Sequence, residues 1–170
     1  MNRSFSKILS TLFALLIIGY AAWQREQPGN HAVPHFSSTT AVSTGHDLQH
    51  DEAMGGHTLR KHVGRTDDQL RERLRHEHEI SAASTYTDRA VAEQTVAEAL
   101  QQMNDRVQRW LQRGGEHNLA LQYHGTQVIG RAILRDGEEV SCTDAAVVLE
   151  RSGGGDFYVL TTYPEPRRKN

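Results

Sequence analysis

VQRWLQRGGEHNLALQY, residues 107–123, changes its hydrophobic period halfway along. Before Gly114-Gly115, apolar residues recur at steps of three and four: Ala92, Val96, Leu100, Met103, Val107 and Trp110. That spacing is one face of a helix. After the glycine pair, Leu119, Leu121 and Tyr123 alternate with polar residues, which is the period of a strand with one face buried. Residues 128–134 make a second run after the Gly125-Thr126 turn, and Asp136-Gly137 signals another turn. Residues 145–150 and 157–162 then form a strand pair joined by SGGGD. Helices first and antiparallel strands second define an α+β domain, with the helices packed on one face or end of an antiparallel sheet.

Upstream of the long helix, Thr87 or Asp88 supplies its cap, and a break near Asn104 would divide it in two. Residues 80–86, ISAASTY, are small and hydroxyl-rich and fit a packed connection. Before them, Thr66-Asp67-Asp68-Gln69 has the form of a capping box. It opens a short helix over 67–77, with Leu70 and Leu74 inward and Arg71, Glu72, Arg73, Arg75 and Glu77 as a solvated outer face. The glycine run of SGGGD lacks the lysine and helix that a phosphate cradle requires, so it reads as a hairpin loop.

The first residues are of another kind. MNRSFSK carries Arg3 and Lys7 without an acid, and residues 8–23 hold no charge. This is the layout of a secretory signal peptide, with an N-terminal membrane anchor through residues 8–23 as the alternative. Either one sends the remainder out of the cytoplasm, to a secreted or periplasmic location. Residues 24–54 are rich in Gln, Ser, Thr, Gly, His and Pro and read as a disordered polar linker. The domain then covers 55–165, and residues 166–170 form a basic tail.

With Lys+Arg 19 against Asp+Glu 21, bulk charge does not announce a nucleic-acid binder, and a phosphate site must be a local cluster. Cys142 is the single cysteine, so no intramolecular disulfide exists and a packed core must hold the fold. His31, His35, His46 and His50 in the linker, and His76 and His78 beside Glu77 and Glu79, suggest loose metal binding. Solvated histidines in a tether and at a wet helix end are the simpler reading.

The chemistry concentrates in two stretches. GHTLRKHVGRT, residues 56–66, places His57 and His62 among Arg60, Lys61 and Arg65; YVLTTYP, residues 158–164, ends an apolar strand on Thr161, Thr162 and Tyr163. Histidine titrates near neutrality and can take a proton from a 2′-hydroxyl. Lys61 or Arg65 can stabilise charge on a pentacoordinate phosphate, and Thr161 or Tyr163 can donate to a phosphate or leaving-group oxygen. Together they make a metal-free acid/base site for a phosphodiester.

In order, GHTLRKHVGRTDDQLRERL, ISAASTYTDRAVAE, VQRWL, VIGRAI and YVLTTYP resemble the bacterial ribonuclease A-like toxin domains at the C-termini of contact-dependent inhibition proteins and related polymorphic toxins. The resemblance implies an RNase A-like fold built without disulfides, and an endoribonuclease needing neither metal nor cofactor. RNA would be cleaved by 2′-hydroxyl transphosphorylation to a 2′,3′-cyclic phosphate. It makes His57 the first choice for the base, Arg65 or Lys61 the phosphate ligands, and Thr161 and Tyr163 the C-terminal contributors. No histidine stands in the last strand, so the leaving-group acid stays open between Tyr163 and His62. A cognate immunity protein is the implied partner besides RNA. Toxins of this kind usually end a very long delivery protein, whereas here a signal segment and a short linker precede the domain. The alternative is a non-catalytic exported binding module that retains the fold.

Overall fold

The computed structural model describes residues 46–167. The expected signal segment, the linker as far as residue 45 with His31 and His35, and residues 168–170 of the tail lie outside them. Helix α1, Leu48–Met54, stands where linker was expected, so the domain begins earlier than residue 55. Asp47 caps it, accepting from the Gln49 and His50 amides, and Leu48 is fully buried in the main core. One leucine supplies the apolar anchor that the polar composition around it concealed.

Gly55 ends α1 in the left-handed region at φ +118°, where glycine carries no Cβ penalty. At Gly56 a Cβ would lie 2.6 Å from the Val159 carbonyl oxygen. This close approach sets the start of helix α2, Thr58–His62, against the last strand. Helix α3, Asp67–His76, opens with both halves of the expected capping box: the Gln69 amide donates to Thr66 Oγ1 at 3.3 Å, and the Thr66 amide donates to Gln69 Oε1 at 3.0 Å. Leu70 and Leu74 join Ala83 and Ile133 in a second, smaller core.

Residues 80–86 are not merely a connection, because Ala82–Tyr86 form strand β1. The strand has no polar/apolar alternation to read, since α3 packs against it and β6 covers it as well. Asp88 caps helix α4, Arg89–Gln102, accepting from the Val91 amide at 2.9 Å. The long apolar stripe breaks at Met103, and helix α5, Asn104–Arg113, follows and ends at Gly114 with φ +64°.

The remaining strands are β2, Asn118–His124; β3, Gly130–Leu134; β4, Glu139–Cys142; β5, Asp144–Gly153; and β6, Asp156–Glu165. They make two antiparallel three-stranded sheets, β1-β3-β4 and β2-β5-β6, where a single sheet was expected. Only Thr143 separates β4 from β5, so the chain passes from one sheet to the other almost without a loop. Strand β5 is central in its sheet and buries six consecutive residues from Asp144, as a strand covered on both faces does. Cys142 is fully buried, and burial pushes its thiol up to about 12, so it serves as core. The expected basic tail is partly engaged: Arg167 Nη2 pairs with Asp144 at 2.5 Å and donates to the Gly125 carbonyl at 2.8 Å.

Leu48→Ala tests the place of α1 in the domain. Removing a fully buried leucine should cost about 2–5 kcal/mol, read as a lower urea midpoint of the full chain. An unchanged midpoint would detach α1 from the folded unit.

Candidate active site

A β-bulge builds one wall of the site. Val148 pairs with Thr161 and Leu149 with Val159, which leaves Leu160 as the extra residue on β6. The Leu160 carbonyl turns out of the ladder and accepts from the His57 amide at 3.0 Å. Beyond the bulge, Thr161 and Tyr163 share one face of the strand and Thr162 lies on the other.

Thr162 fixes that arrangement. Its amide donates to Thr58 Oγ1 at 3.0 Å, and its hydroxyl donates to the Ala146 carbonyl at 2.7 Å. Having given its only hydrogen to Ala146, Thr162 Oγ1 accepts from the Tyr86 hydroxyl at 2.6 Å. The flanking residues, His57 beside Thr58 and Tyr163 beside Thr162, are thereby held on the same side.

His57 occupies the N-cap position of α2 but makes no side-chain capping bond. Glu52 of α1 does that work: its Oε1 accepts from the Leu59 amide at 2.9 Å, and its other oxygen pairs with Arg60 at 3.0 Å. The His57 ring is left to face the second imidazole, with centroids 6.3 Å apart. His62 in turn faces the Tyr163 ring at 5.3 Å. The His62 ring of α2 therefore neighbours both the His57 ring and the Tyr163 ring of β6.

Arg73 of α3 also meets His62. Its Nη1 lies 3.4 Å from His62 Nδ1, and its Nε donates to Glu77 Oε2 at 3.0 Å. Arginine can only donate, so His62 Nδ1 presents a lone pair and the ring hydrogen sits on Nε2. His62 is 3% exposed. Burial first, then the charge of Arg73, holds this imidazole well below its ordinary pKa. Burial, then Lys61, Arg60 and Arg73, lowers His57 to about 3. Both imidazoles are held neutral near pH 7.

Burial also lowers Lys61, partly opposed by the Glu77 carboxylate, and burial pushes the Tyr163 phenol up to about 12. Tyr163 thus keeps its hydrogen at neutral pH. Thr161, 8% exposed, has an Oγ1 with no hydrogen-bond partner among the described residues. A buried hydroxyl in that state has both its donor and its acceptor capacity open.

The structure therefore gathers His57, Lys61, His62 and Tyr163, with Thr161 on the Tyr163 face of β6. Arg65 is turned elsewhere: its Nε donates to the Val63 carbonyl at 3.2 Å and its amide to Thr85 Oγ1 at 2.9 Å. The cation at the centre is Arg73, which sequence reasoning assigned to a solvated face. Leu70, Arg73, Leu74 and Glu77 follow the i, i+3, i+4, i+7 pattern, and that spacing was the available signal that Arg73 and Glu77 edge the buried side. His76 pairs with Glu72 at 2.5 Å and His46 with Asp51 at 2.8 Å. Among the described residues no group of three or more His, Cys, Asp or Glu is placed to hold a metal ion.

An α+β domain of two antiparallel sheets, with two neutral imidazoles, an arginine and a phenol converging between helices and the last strand, has the architecture of an RNase A-like domain. Residues 56–164 match the family model described as the bacterial CdiA-CT RNAse A domain, and the chain belongs to that family. It is thus a member of a ribonuclease toxin domain family. The structure is similar to a solved CdiA-CT/CdiI complex from Y. kristensenii 33638, with a TM-score of 0.59 and 27% sequence identity, covering 65% of this chain and 100% of that one. No curated protein matches the chain.

The two depressed imidazoles make stability depend on acidity. Between the folded and unfolded pKa values the unfolded chain binds more protons, so stability rises with pH through that window and levels off above the unfolded value near 6.5. On acidification from pH 7 to pH 5 the urea midpoint should fall, before carboxylates such as Asp144, held at about 2 chiefly by its bond to Arg167, begin to contribute. His62→Gln should flatten that slope whatever it does to absolute stability. An equally steep slope in the variant would mean that His62 ionises freely in the fold.

Proposed function

We propose that this chain is an endoribonuclease that cleaves RNA without a metal ion, by attack of the 2′-hydroxyl on the adjacent phosphate. The observation that carries this reading is the lone pair of His62 Nδ1 held 3.4 Å from Arg73 Nη1, with the Tyr163 ring 5.3 Å from the His62 ring. A base, a phosphate-binding cation and a protonated phenol then stand side by side.

The contacts to Arg73 and Tyr163 favour His62 as the base over His57, the sequence-based first choice. His62 adjoins both Arg73 and Tyr163, and its Nδ1 carries the lone pair that faces the guanidinium. The approaching phosphate draws the Arg73 guanidinium onto a non-bridging oxygen, and this frees the Nδ1 lone pair. His62 takes the 2′-hydroxyl proton as the 2′-oxygen bonds to phosphorus. The bond from phosphorus to the 5′-oxygen breaks, and Tyr163 gives its hydrogen to the departing oxygen. A 2′,3′-cyclic phosphate and a 5′-hydroxyl result, and solvent returns the proton from His62 to Tyr163. Lys61 adds positive charge beside the phosphate, and the open Thr161 hydroxyl is available to the same group.

The resemblance to a CdiA-CT domain in complex with CdiI supports a toxin role and a cognate partner protein. The basic and apolar residues at the start of the chain support export, by a cleaved signal or by a membrane anchor.

Purified full-length protein incubated with RNA in excess EDTA tests the reading. Cleavage should persist, and His62→Ala and Arg73→Ala should each lose roughly 10²-fold or more in kcat/KM. Tyr163→Phe should lower kcat more than it raises KM. His57→Ala should stay within about tenfold of the parent, below the loss expected of a general base. The reverse ranking would return the base to His57, and intact RNA would favour a non-catalytic binding module.

A further inference from the structure

Arg106, Arg109 and Arg113 of α5 are exposed, and none forms an ion pair or hydrogen bond among the described residues. Every other described arginine is held by a carboxylate, a backbone carbonyl or a ring nitrogen. The three without partners fall on a single ten-residue helix. Their i, i+3, i+7 spacing places them within about 60° of one another around the axis and along about 10 Å of its length. Asp105, one turn before Arg109, makes no ion pair with it.

A helix C-terminus favours a cation in its last turn, which accounts for Arg113 but not for Arg106 or Arg109. On a chain whose formal net charge is −2, three unneutralised guanidinium groups in one stripe are a local anomaly. We propose that this stripe binds the phosphate backbone of an RNA strand that also occupies the candidate active site, and the inference rests on the ribonuclease reading of that site.

The exposed neighbours favour RNA over a protein partner. Apart from the single acid Asp105, they are Gln101, Gln102, Asn104, Gln108 and Gln112, whose amides hydrogen-bond to sugars and phosphates. No exposed apolar or aromatic residue stands among them, whereas a protein interface is built around an apolar centre. The large apolar groups of α5, Val107 and Trp110, are buried.

The fold also separates α5 from Tyr163 along β6. Trp110 packs edge-on against Phe157 with centroids 6.4 Å apart, and Phe157 lies six residues before Tyr163 on β6. At 3.3 Å per residue that strand length is about 20 Å. The helix that carries the stripe therefore packs near the end of β6 remote from Tyr163, so a short substrate at the site and a long strand are expected to differ in their use of the stripe. It would hold RNA on the protein without taking part in bond cleavage.

Full-length protein is compared with the triple variant Arg106→Gln, Arg109→Gln, Arg113→Gln. The probe is a single-stranded 2′-O-methyl RNA oligonucleotide, which lacks the attacking hydroxyl. Binding measured against salt should give a shallower slope of log K on log salt in the variant, by about 2 for three lost contacts at ~0.7 each. Cleavage of long RNA should fall, while cleavage of a dinucleotide stays unchanged. An unchanged salt slope with a normal melting temperature would overturn the proposal, whether the stripe then serves an acidic protein or only solvent. A loss of dinucleotide cleavage equal to the loss on long RNA would overturn it as well, since the stripe would then act through the site. Failure of the parent protein to bind the oligonucleotide or cut either substrate would sink the ribonuclease reading and this inference with it. Normal parent activity with an insensitive variant sinks only the inference.

Discussion

The hydrogen bonds of Thr162 are the constraint on which the rest of the site depends. Through its amide and hydroxyl this one residue joins α2 at Thr58, β1 at Tyr86 and β5 at Ala146, and Thr162 and Tyr86 are fully buried. An unsatisfied polar group there would cost about 1–3 kcal/mol, so the three elements are held in one arrangement. The two sheets are not hydrogen-bonded to each other as a ladder, and the Tyr86–Thr162 bond is a polar link between them. Gly130 lets them close: a Cβ there would lie 2.2 Å from the Thr85 carbonyl oxygen and 2.9 Å from Pro164.

From that arrangement the electrostatics follow. Three cations act on the pair of imidazoles, and both rings are largely removed from water, so protonating either is disfavoured twice over. Desolvation is the larger cause in each case, which means that packing rather than any single charge keeps the bases neutral. Glu77 neutralises the outer side of Arg73. The Glu77 amide is fixed by the Arg73 carbonyl at the end of α3, and the Glu77 carbonyl accepts from Arg135 of the β3–β4 turn at 2.5 Å. The cation is thus anchored from the smaller core.

Much of the fold was legible because the strong local signals were consistent with it. The capping box at Thr66, the Asp88 cap, the glycine stop at Gly114 and the alternation of Leu119, Leu121 and Tyr123 are properties of neighbouring residues, and each forms as expected. What escaped had weak local signals. Strand β1 is covered on both faces and too poor in large side chains to show a period, and α1 rests on one buried leucine in a polar stretch. The division into two sheets was hidden for a different reason: a one-residue passage at Thr143 has no composition of its own.

For the candidate site the division is similar. Residue types and their order were enough to single out the His57–His62 stretch and the Thr161–Tyr163 stretch, because histidines among cations and hydroxyls at a strand end are recognisable as chemistry. The sequence by itself thus determined the α+β class, the caps of α3 and α4 and the two halves of the site. Only the tertiary structure decided how the halves meet. The bulge at Leu160 selects which β6 side chains face α2, and the packing of α3 turns Arg73 rather than Arg65 toward His62. Both choices depend on contacts between residues tens of positions apart or on a single backbone irregularity. Periodicity and spacing describe neighbours along the chain, so they can put Arg73 at the edge of the buried side of α3 but carry no record of the bulge or of the partner that Arg73 meets.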